Sequence, residues 1–295
     1  MSFDRIGVAG AGLMGSGIAQ AAAVADFATV VRDVSEAALR RGEAAVRSSL
    51  DRLVDKGKLD AAARQTALTR LTWTTDFAAL GGCELVIEAV PEDAALKRAL
   101  WHELDNRCPA ATIFASNTSS LSITELAAAT GRPDRFIGLH FFNPVPLMPL
   151  VEVVRGLTTS AETFDAAMAF VRRLGKEPIV ARDRSGFIVN RLLVPYLLDA
   201  VRALEEGTGS VADIDRGMQL GCGHPMGPFT LLDLVGLDTT LSIGEILFRE
   251  FGDARFAPPG LLRRMVAAGL HGRKSGRGFY DYTAQPPTPI DHLNR

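Results

Sequence analysis

Gly10-Ala11-Gly12-Leu13-Met14-Gly15 follows a short apolar run at residues 6–9 and opens an Ala-rich stretch of helical character. Each glycine has its own task. The first permits a tight turn, the second lets the backbone come close to a pyrophosphate, and the third lets the new helix pack against the strand. The phosphates then meet a helix N-terminus, where free N–H groups point outward. A second β-like run at residues 28–32 leads into Asp33, twenty-one residues after Gly12. At that interval a carboxylate accepts hydrogen bonds from the adenosine ribose hydroxyls of NAD and repels a 2′-phosphate. A G-x-G-x-x-G is weak alone; with both strands and the acid it predicts a dinucleotide site. Arg32, next to the acid, leaves NADP as the alternative.

Short β-like runs at residues 6–9, 28–32, 85–89, 112–116 and 136–140 alternate with helical segments, the pattern of a doubly wound parallel sheet. Residues 36–71 exceed one crossover helix, and residues 47–58 are amphipathic and partly basic, so an inserted helical pair is expected there. Further β-like runs at 150–154 and 178–181 precede Asp183-Arg184-Ser185-Gly186. Beyond it the sequence turns helical, at 187–206, 211–220, 229–251 and 259–268. The expected architecture is α/β: a Rossmann-like domain over residues 1–185, then an all-α domain over 186–283. The proline-rich end, 284–295, is expected to be a disordered tail.

Composition narrows the function classes. A chain of 295 residues, 47% hydrophobic with a net charge of −2, can bury two cores. It has no general field to attract nucleic acid or an anionic membrane, so any anion site must be local. Arg5 before the uncharged residues 6–25 imitates a targeting signal, but glycines at turn spacing read as strand, phosphate loop and helix. Cys83, Cys108 and Cys222 have no C-x-x-C spacing and fit reduced thiols in a cytoplasm. No metal-ligand motif is present, so no metal is expected.

His140 closes the run 136–140, which puts an imidazole at a strand's carboxyl end, where such folds bind ligands. Glu152 follows twelve residues later between apolar neighbours and needs a polar partner if buried. Such a pair lets a carboxylate fix the imidazole tautomer and offset the imidazolium charge. Ser116-Asn117-Thr118-Ser119-Ser120 falls at another carboxyl end, and five polar residues exceed what one helix cap requires. Asn190 sets an amide in an apolar helix face. Arg52 and Lys56 lie i and i+4 on the inserted helix, with Ser49 one turn earlier; a solvated face is the plain reading unless the substrate carries phosphates. Glu92 and Lys97 read as surface charges around a helix start, and Lys274 belongs to a basic glycine-rich turn.

Together, residues 10–17, 116–121, 138–144, 150–153, 186–191, 224–228 and 273–280 resemble the 3-hydroxyacyl-CoA dehydrogenase family, most of all its short bacterial 3-hydroxybutyryl-CoA members. The resemblance runs from about residue 4 to 282. It implies that His140 is the catalytic base and Glu152 its partner, with Ser119 and Asn190 on the reacting end of an acyl-CoA. It places Gly10, Gly12, Leu13, Met14, Gly15, Asp33, Glu92, Lys97, Asn117, Ser119, Asn143 and Lys274 around NAD, and Ser49, Arg52 and Lys56 near the CoA moiety. It also implies a homodimer formed through the helical domain. Arg52 and Pro149 stand where relatives often carry lysine; the second change removes a positive charge near the cleft. Two rival readings are an L-gulonate 3-dehydrogenase, which would leave Arg52 and Lys56 unused, and a non-catalytic crystallin-like protein, which would not need Ser119, His140, Glu152 and Asn190 intact.

Overall fold

A computed structural model describes residues 3–290, and its chain divides into two units, Met1–Phe187 and Ile188–Arg295. The first contains strands β1 (Arg5–Ala9), β2 (Ala28–Arg32), β3 (Leu71–Thr74), β4 (Leu85–Glu88), β5 (Ile113–Ser116), β6 (Phe136–Phe141), β7 (Leu150–Arg155) and β8 (Glu177–Arg182). Its helices are α1 (Leu13–Val24), α2 (Glu36–Asp55), α3 (Ala61–Thr69), α4 (Ala94–Asp105), α5 (Ile123–Ala127) and α6 (Ala161–Arg173). The strands form one eight-stranded sheet in the order β3-β2-β1-β4-β5-β6-β7-β8.

Strand order reverses between β1 and β4, so the chain ends of these neighbours diverge and leave a crevice at the carboxyl edge. β1 to β6 are parallel, but β7 pairs antiparallel with β6 and β8 runs with β7. The five runs expected to form the parallel sheet do so, and the direction of the runs at 150–154 and 178–181 was left open by the sequence. The connection at residues 142–149 is too short for the dozen or more residues of a parallel crossover.

Both faces of the sheet are covered, and adjacent residues serve opposite layers. Leu85 and Ile87 pack with Ile18, Phe27 and Phe170, while Val86 packs with Trp101, Phe114 and Phe136. Trp101 is fully buried, with its ring centroid 5.1 Å from Phe114 and 4.8 Å from Phe136. α2 and α3 form the inserted pair. Asp51 and Arg64 join them at 2.6 Å over a small core of Val46, Leu50 and Ala67. β3, not anticipated from the sequence, pairs with β2 at the sheet's edge, and its burial is only partial. A half-buried four-residue strand offers little periodicity to read.

The second unit contains α7 (Val189–Glu205), α8 (Val211–Cys222), α9 (Pro228–Val235), α10 (Leu237–Phe251) and α11 (Gly260–Ala267), around Leu197, Val201, Phe229, Leu247 and Phe279. The single helix expected over 229–251 is two, broken at Gly236, whose φ of 102° a side chain would resist. Asp215 of α8 accepts hydrogen bonds from the Phe229 and Thr230 N–H groups, capping α9 from outside. Thr288–Pro289 pairs antiparallel with Tyr280–Asp281, so residues up to 290 are not the unpacked tail expected. Residues 291–295 of that expectation lie outside the described residues.

The glycine-rich turn is sterically exacting. A Cβ at Gly15 would stand 1.9 Å from the Gly10 carbonyl oxygen, so the turn would have to open. Gly15→Ala is expected to destabilise the fold by about 1–3 kcal/mol and to weaken NADH binding at least tenfold. Thermal melting and a fluorescence titration would measure both, and wild-type NADH affinity would refute the assignment of this turn.

Candidate active site

The glycine-rich turn fits a pyrophosphate. Gly10 has φ 111°, and a Cβ there would meet the Ala89 carbonyl at 2.6 Å. Gly12 is the N-cap of α1, no side chain caps that end, and a Cβ on it would meet nothing within 4 Å. The space is open toward the helix N-terminus, as an anion requires. Leu13 and Met14 form the first turn of α1. Asp33 follows β2 with Oδ2 accepting from the Ala11 N–H at 2.8 Å and Oδ1 from the Ser35 N–H at 3.1 Å. The acid is thereby fixed to the glycine-rich turn. The Arg32 guanidinium is stacked 4.6 Å over the Phe77 ring, which gives the cation that raised the NADP alternative a different partner.

His140 and Glu152 are opposite one another in the β6–β7 ladder. Antiparallel register thus turns a separation of twelve residues into a contact: His140 Nδ1 lies 2.6 Å from Glu152 Oε2. Both are buried, Glu152 fully and His140 to 6% exposure. Phe142 and Phe187 flank the imidazole at ring-centroid distances of 4.5 and 5.6 Å. An ionised carboxylate only accepts, so Nδ1 carries the proton and Nε2 keeps the lone pair of a base.

The polar loop after β5 is wound around carboxylates. Asn117 Oδ1 accepts from the Phe141 N–H at 2.9 Å, tying the loop to the strand that carries His140. Glu92 Oε1 accepts from Thr118 Oγ1 at 2.5 Å, the Ser119 N–H at 2.9 Å, Ser120 Oγ at 3.0 Å and Ser119 Oγ at 3.3 Å. Lys97 is not the surface charge expected. It is 1% exposed, pairs with Glu88, and lies 3.2 Å from Glu92 Oε2. The first turn of α4 folds it beneath the loop, a placement that charge pattern alone does not reveal. Glu88, given no role in the sequence reading, is fully buried at the end of β4 and also accepts from Ser116 Oγ at 2.6 Å. Its signal was a carboxylate closing an otherwise apolar strand. Burial raises the Glu88 carboxyl above its ordinary range. At Glu92 burial pushes the same way, but Lys97 and the Thr118 and Ser119 donors hold the carboxyl below its ordinary range.

Asn143 is exposed on the loop that follows His140. Pro149 ends that loop, and Lys176 supplies a cation to it: Nζ donates to the Val145 and Met148 carbonyls at 2.6 and 2.7 Å. Ser49, Arg52 and Lys56 lie along the last turns and C-cap of α2, with Arg52 and Lys56 exposed and Arg52 donating to Ser48 Oγ at 2.7 Å. In the second unit Asn190 is half-buried in the first turn of α7, and Lys274 donates to Asp238 at 2.6 Å.

Residues 5–184 match the NAD-binding domain model of 3-hydroxyacyl-CoA dehydrogenase, and residues 186–282 match the C-terminal domain model. A 3-hydroxybutyryl-CoA dehydrogenase of Bradyrhizobium diazoefficiens is 48% identical over 97% of each chain. A probable 3-hydroxybutyryl-CoA dehydrogenase of Deinococcus radiodurans is 49% identical over 94% of this chain and 100% of its own. Among solved structures, the (S)-3-hydroxybutyryl-CoA dehydrogenase of Ralstonia eutropha superposes with a TM-score of 0.91 at 49% identity, covering 96% of this chain and 100% of its own.

A hydrogen bond to a charged group is worth about 1.5–3 kcal/mol, so losing the Asp33 carboxylate has a measurable signature. Asp33→Ala is expected to lower the ratio of kcat/KM for NADH over NADPH by about tenfold or more. If steady-state kinetics leave that ratio unmoved, Asp33 does not hold the ribose.

Proposed function

Because the chain belongs to the 3-hydroxyacyl-CoA dehydrogenase family, we propose that it interconverts (S)-3-hydroxybutyryl-CoA and acetoacetyl-CoA as an NAD-dependent enzyme. The observation that carries the mechanism is the buried contact of His140 Nδ1 with Glu152. With Nδ1 committed to the carboxylate, Nε2 is the atom that takes the proton of the substrate's 3-hydroxyl, and in reverse returns it to the forming alkoxide. Glu152 holds the ring in that tautomer and offsets the charge formed on it. The hydride chemistry at C3 is what a bound nicotinamide would supply, as acceptor in its oxidised form and as donor in its reduced form. Phe142 and Phe187 shield the imidazole from water on their sides, which strengthens its electrostatic coupling to Glu152.

The remaining assignments rest on the family resemblance. Ser119 and Asn190 hydrogen-bond the reacting end of the substrate. Gly10, Gly12, Leu13, Met14, Gly15, Asp33, Glu92, Lys97, Asn117, Ser119, Asn143 and Lys274 serve the cofactor. Ser49, Arg52 and Lys56 serve the CoA phosphates; the exposure of both cations supports this reading over a sugar-acid substrate, which would give them nothing to bind. A homodimer through the second unit is supported by Leu192 and Leu220, apolar side chains 71% and 68% exposed. A cytoplasmic location accords with three free cysteines and with no helix among the described residues long and apolar enough to cross a membrane.

Reduction of acetoacetyl-CoA, followed as NADH oxidation, tests the activity directly. His140→Gln is expected to lower turnover by about 10²-fold or more with NADH affinity nearly unchanged; near-normal turnover would remove His140 from the chemistry. Exposed charge contacts are worth about 0.2–1 kcal/mol each. Replacing both Arg52 and Lys56 with alanine should therefore raise the KM for acetoacetyl-CoA roughly 2- to 30-fold, and less at high salt. A short thioester without the nucleotide should show no such change. Equal losses on both substrates would mean that the pair supports the fold instead.

A further inference from the structure

Among the described residues only Asp26 and Phe187 have a positive φ without being glycine, at 70° and 45°. Asp26 is exposed, and its short polar side chain is of the kind that visits this region at little cost. Phe187 is bulky and 4% exposed, so its backbone is a genuine outlier. Such a conformation persists only where the surroundings over-determine it.

Two anchors do so here. At the start of the turn Asp183, just past β8, accepts from the Ile123 and Thr124 N–H groups, each at 2.8 Å, and from Ser122 Oγ at 3.0 Å, which ties it to the first turn of α5. Four residues later the Phe187 ring packs beside His140, its centroid 5.6 Å from that of the imidazole and its plane tilted by 57°. Gly186, at φ 79°, and a hydrogen bond from the Phe187 N–H to the Arg184 carbonyl at 2.8 Å close the turn between them. Bringing the ring back over so short a span takes the chain through left-handed backbone.

Glu152 holds a single atom of that imidazole, Nδ1. With Cβ fixed by the strand, the ring is still free to tip about the line from Cβ to Nδ1, and tipping swings Nε2 away from a substrate hydroxyl. Phe142, at a centroid distance of 4.5 Å, and Phe187 stand against the ring and oppose this motion. We propose that Phe187 is a positioning residue of the reaction: its backbone is held in a strained conformation by the packing of its ring on His140, and that contact, together with Phe142, fixes the direction of Nε2. The role rests on His140 being the base.

Acetoacetyl-CoA reduction, NADH affinity by fluorescence and thermal melting are compared across substitutions. In Phe187→Leu, which keeps apolar volume and loses the flat ring, kcat is expected to fall about 10- to 100-fold. The KM and the NADH Kd should stay within about threefold of wild type. Phe142→Leu, at a half-buried position remote from the turn, should show the same split, and it keeps the test decisive if Phe187 variants do not fold. Phe187→Gly and Phe187→Ala separate positioning from support of the fold. Alanine is ordinarily the more stable of the two, but at positive φ the glycine variant should melt about 2–4 °C above the alanine one. Glycine should recover stability without turnover, the two variants staying within about threefold in kcat. The His140 Cε1–H NMR signal, assigned by its loss in His140→Gln, should shift and broaden in Phe187→Leu. Wild-type kcat in Phe187→Leu or Phe142→Leu, an alanine variant that melts above the glycine one, a glycine variant that regains about tenfold in kcat over alanine, or an unmoved His140 signal would each overturn it. Near-normal turnover in His140→Gln would remove the base itself, whereas a crippled His140→Gln beside an unimpaired Phe187→Leu would remove only the role of Phe187.

Discussion

A parallel sheet buried on both faces has almost nowhere to put polar groups except its carboxyl edge. In the first unit Ile6, Val8, Leu85, Val86, Ile87, Ile113 and Phe114 are at most 1% exposed, and every one of them faces a hydrophobic layer. Where the strands end, backbone donors and acceptors run out of ladder partners, and the chain turns to polar side chains. Gly10, Glu88, Ser116, Asn117 and His140 all occur within one residue of such an end or in its last turn of ladder. The chemistry of the site follows from that constraint.

Burial also explains why the site's charges come in sets. Glu152 is fully buried against His140, Lys97 against Glu88 and Glu92, and Glu88 against Ser116 as well. A charge removed from water needs a counter-charge and its remaining hydrogen bonds satisfied, or the fold loses several kcal/mol. The consequence is stiffness. Side chains that satisfy one another's last lone pair or proton have one arrangement available, and preorganised polar groups are those that stabilise developing charge without reorganising.

Pro149 brings no charge to the loop that it ends, yet that loop receives the Lys176 ammonium on two of its carbonyls. Burial lowers the pKa of that lysine, because desolvation disfavours its charged form. The loop is also anchored from the other side, since a Cβ on Gly17 of α1 would stand 2.9 Å from Val145. The helix that follows the glycine-rich turn and the loop that follows the strand of His140 are therefore packed through one glycine.

Local rules were enough for much of this protein. The spacing of Gly10, Gly12, Gly15 and Asp33, the alternation of strands with helices, and the placing of His140 and Ser119 at strand ends are all properties of short windows, because turn sterics and side-chain period act over a few residues. What lay beyond them was decided by register and burial. No window of sequence states that β7 runs against β6, which is what sets Glu152 opposite His140. None shows that Lys97 points inward to Glu88 while its neighbours Leu96 and Arg98 are exposed, or that Gly236 splits one apolar run into α9 and α10. These depend on which distant surface each residue meets. The free energy of burying a charge or turning a helix is fixed by that surface, and it exists only once the chain has folded.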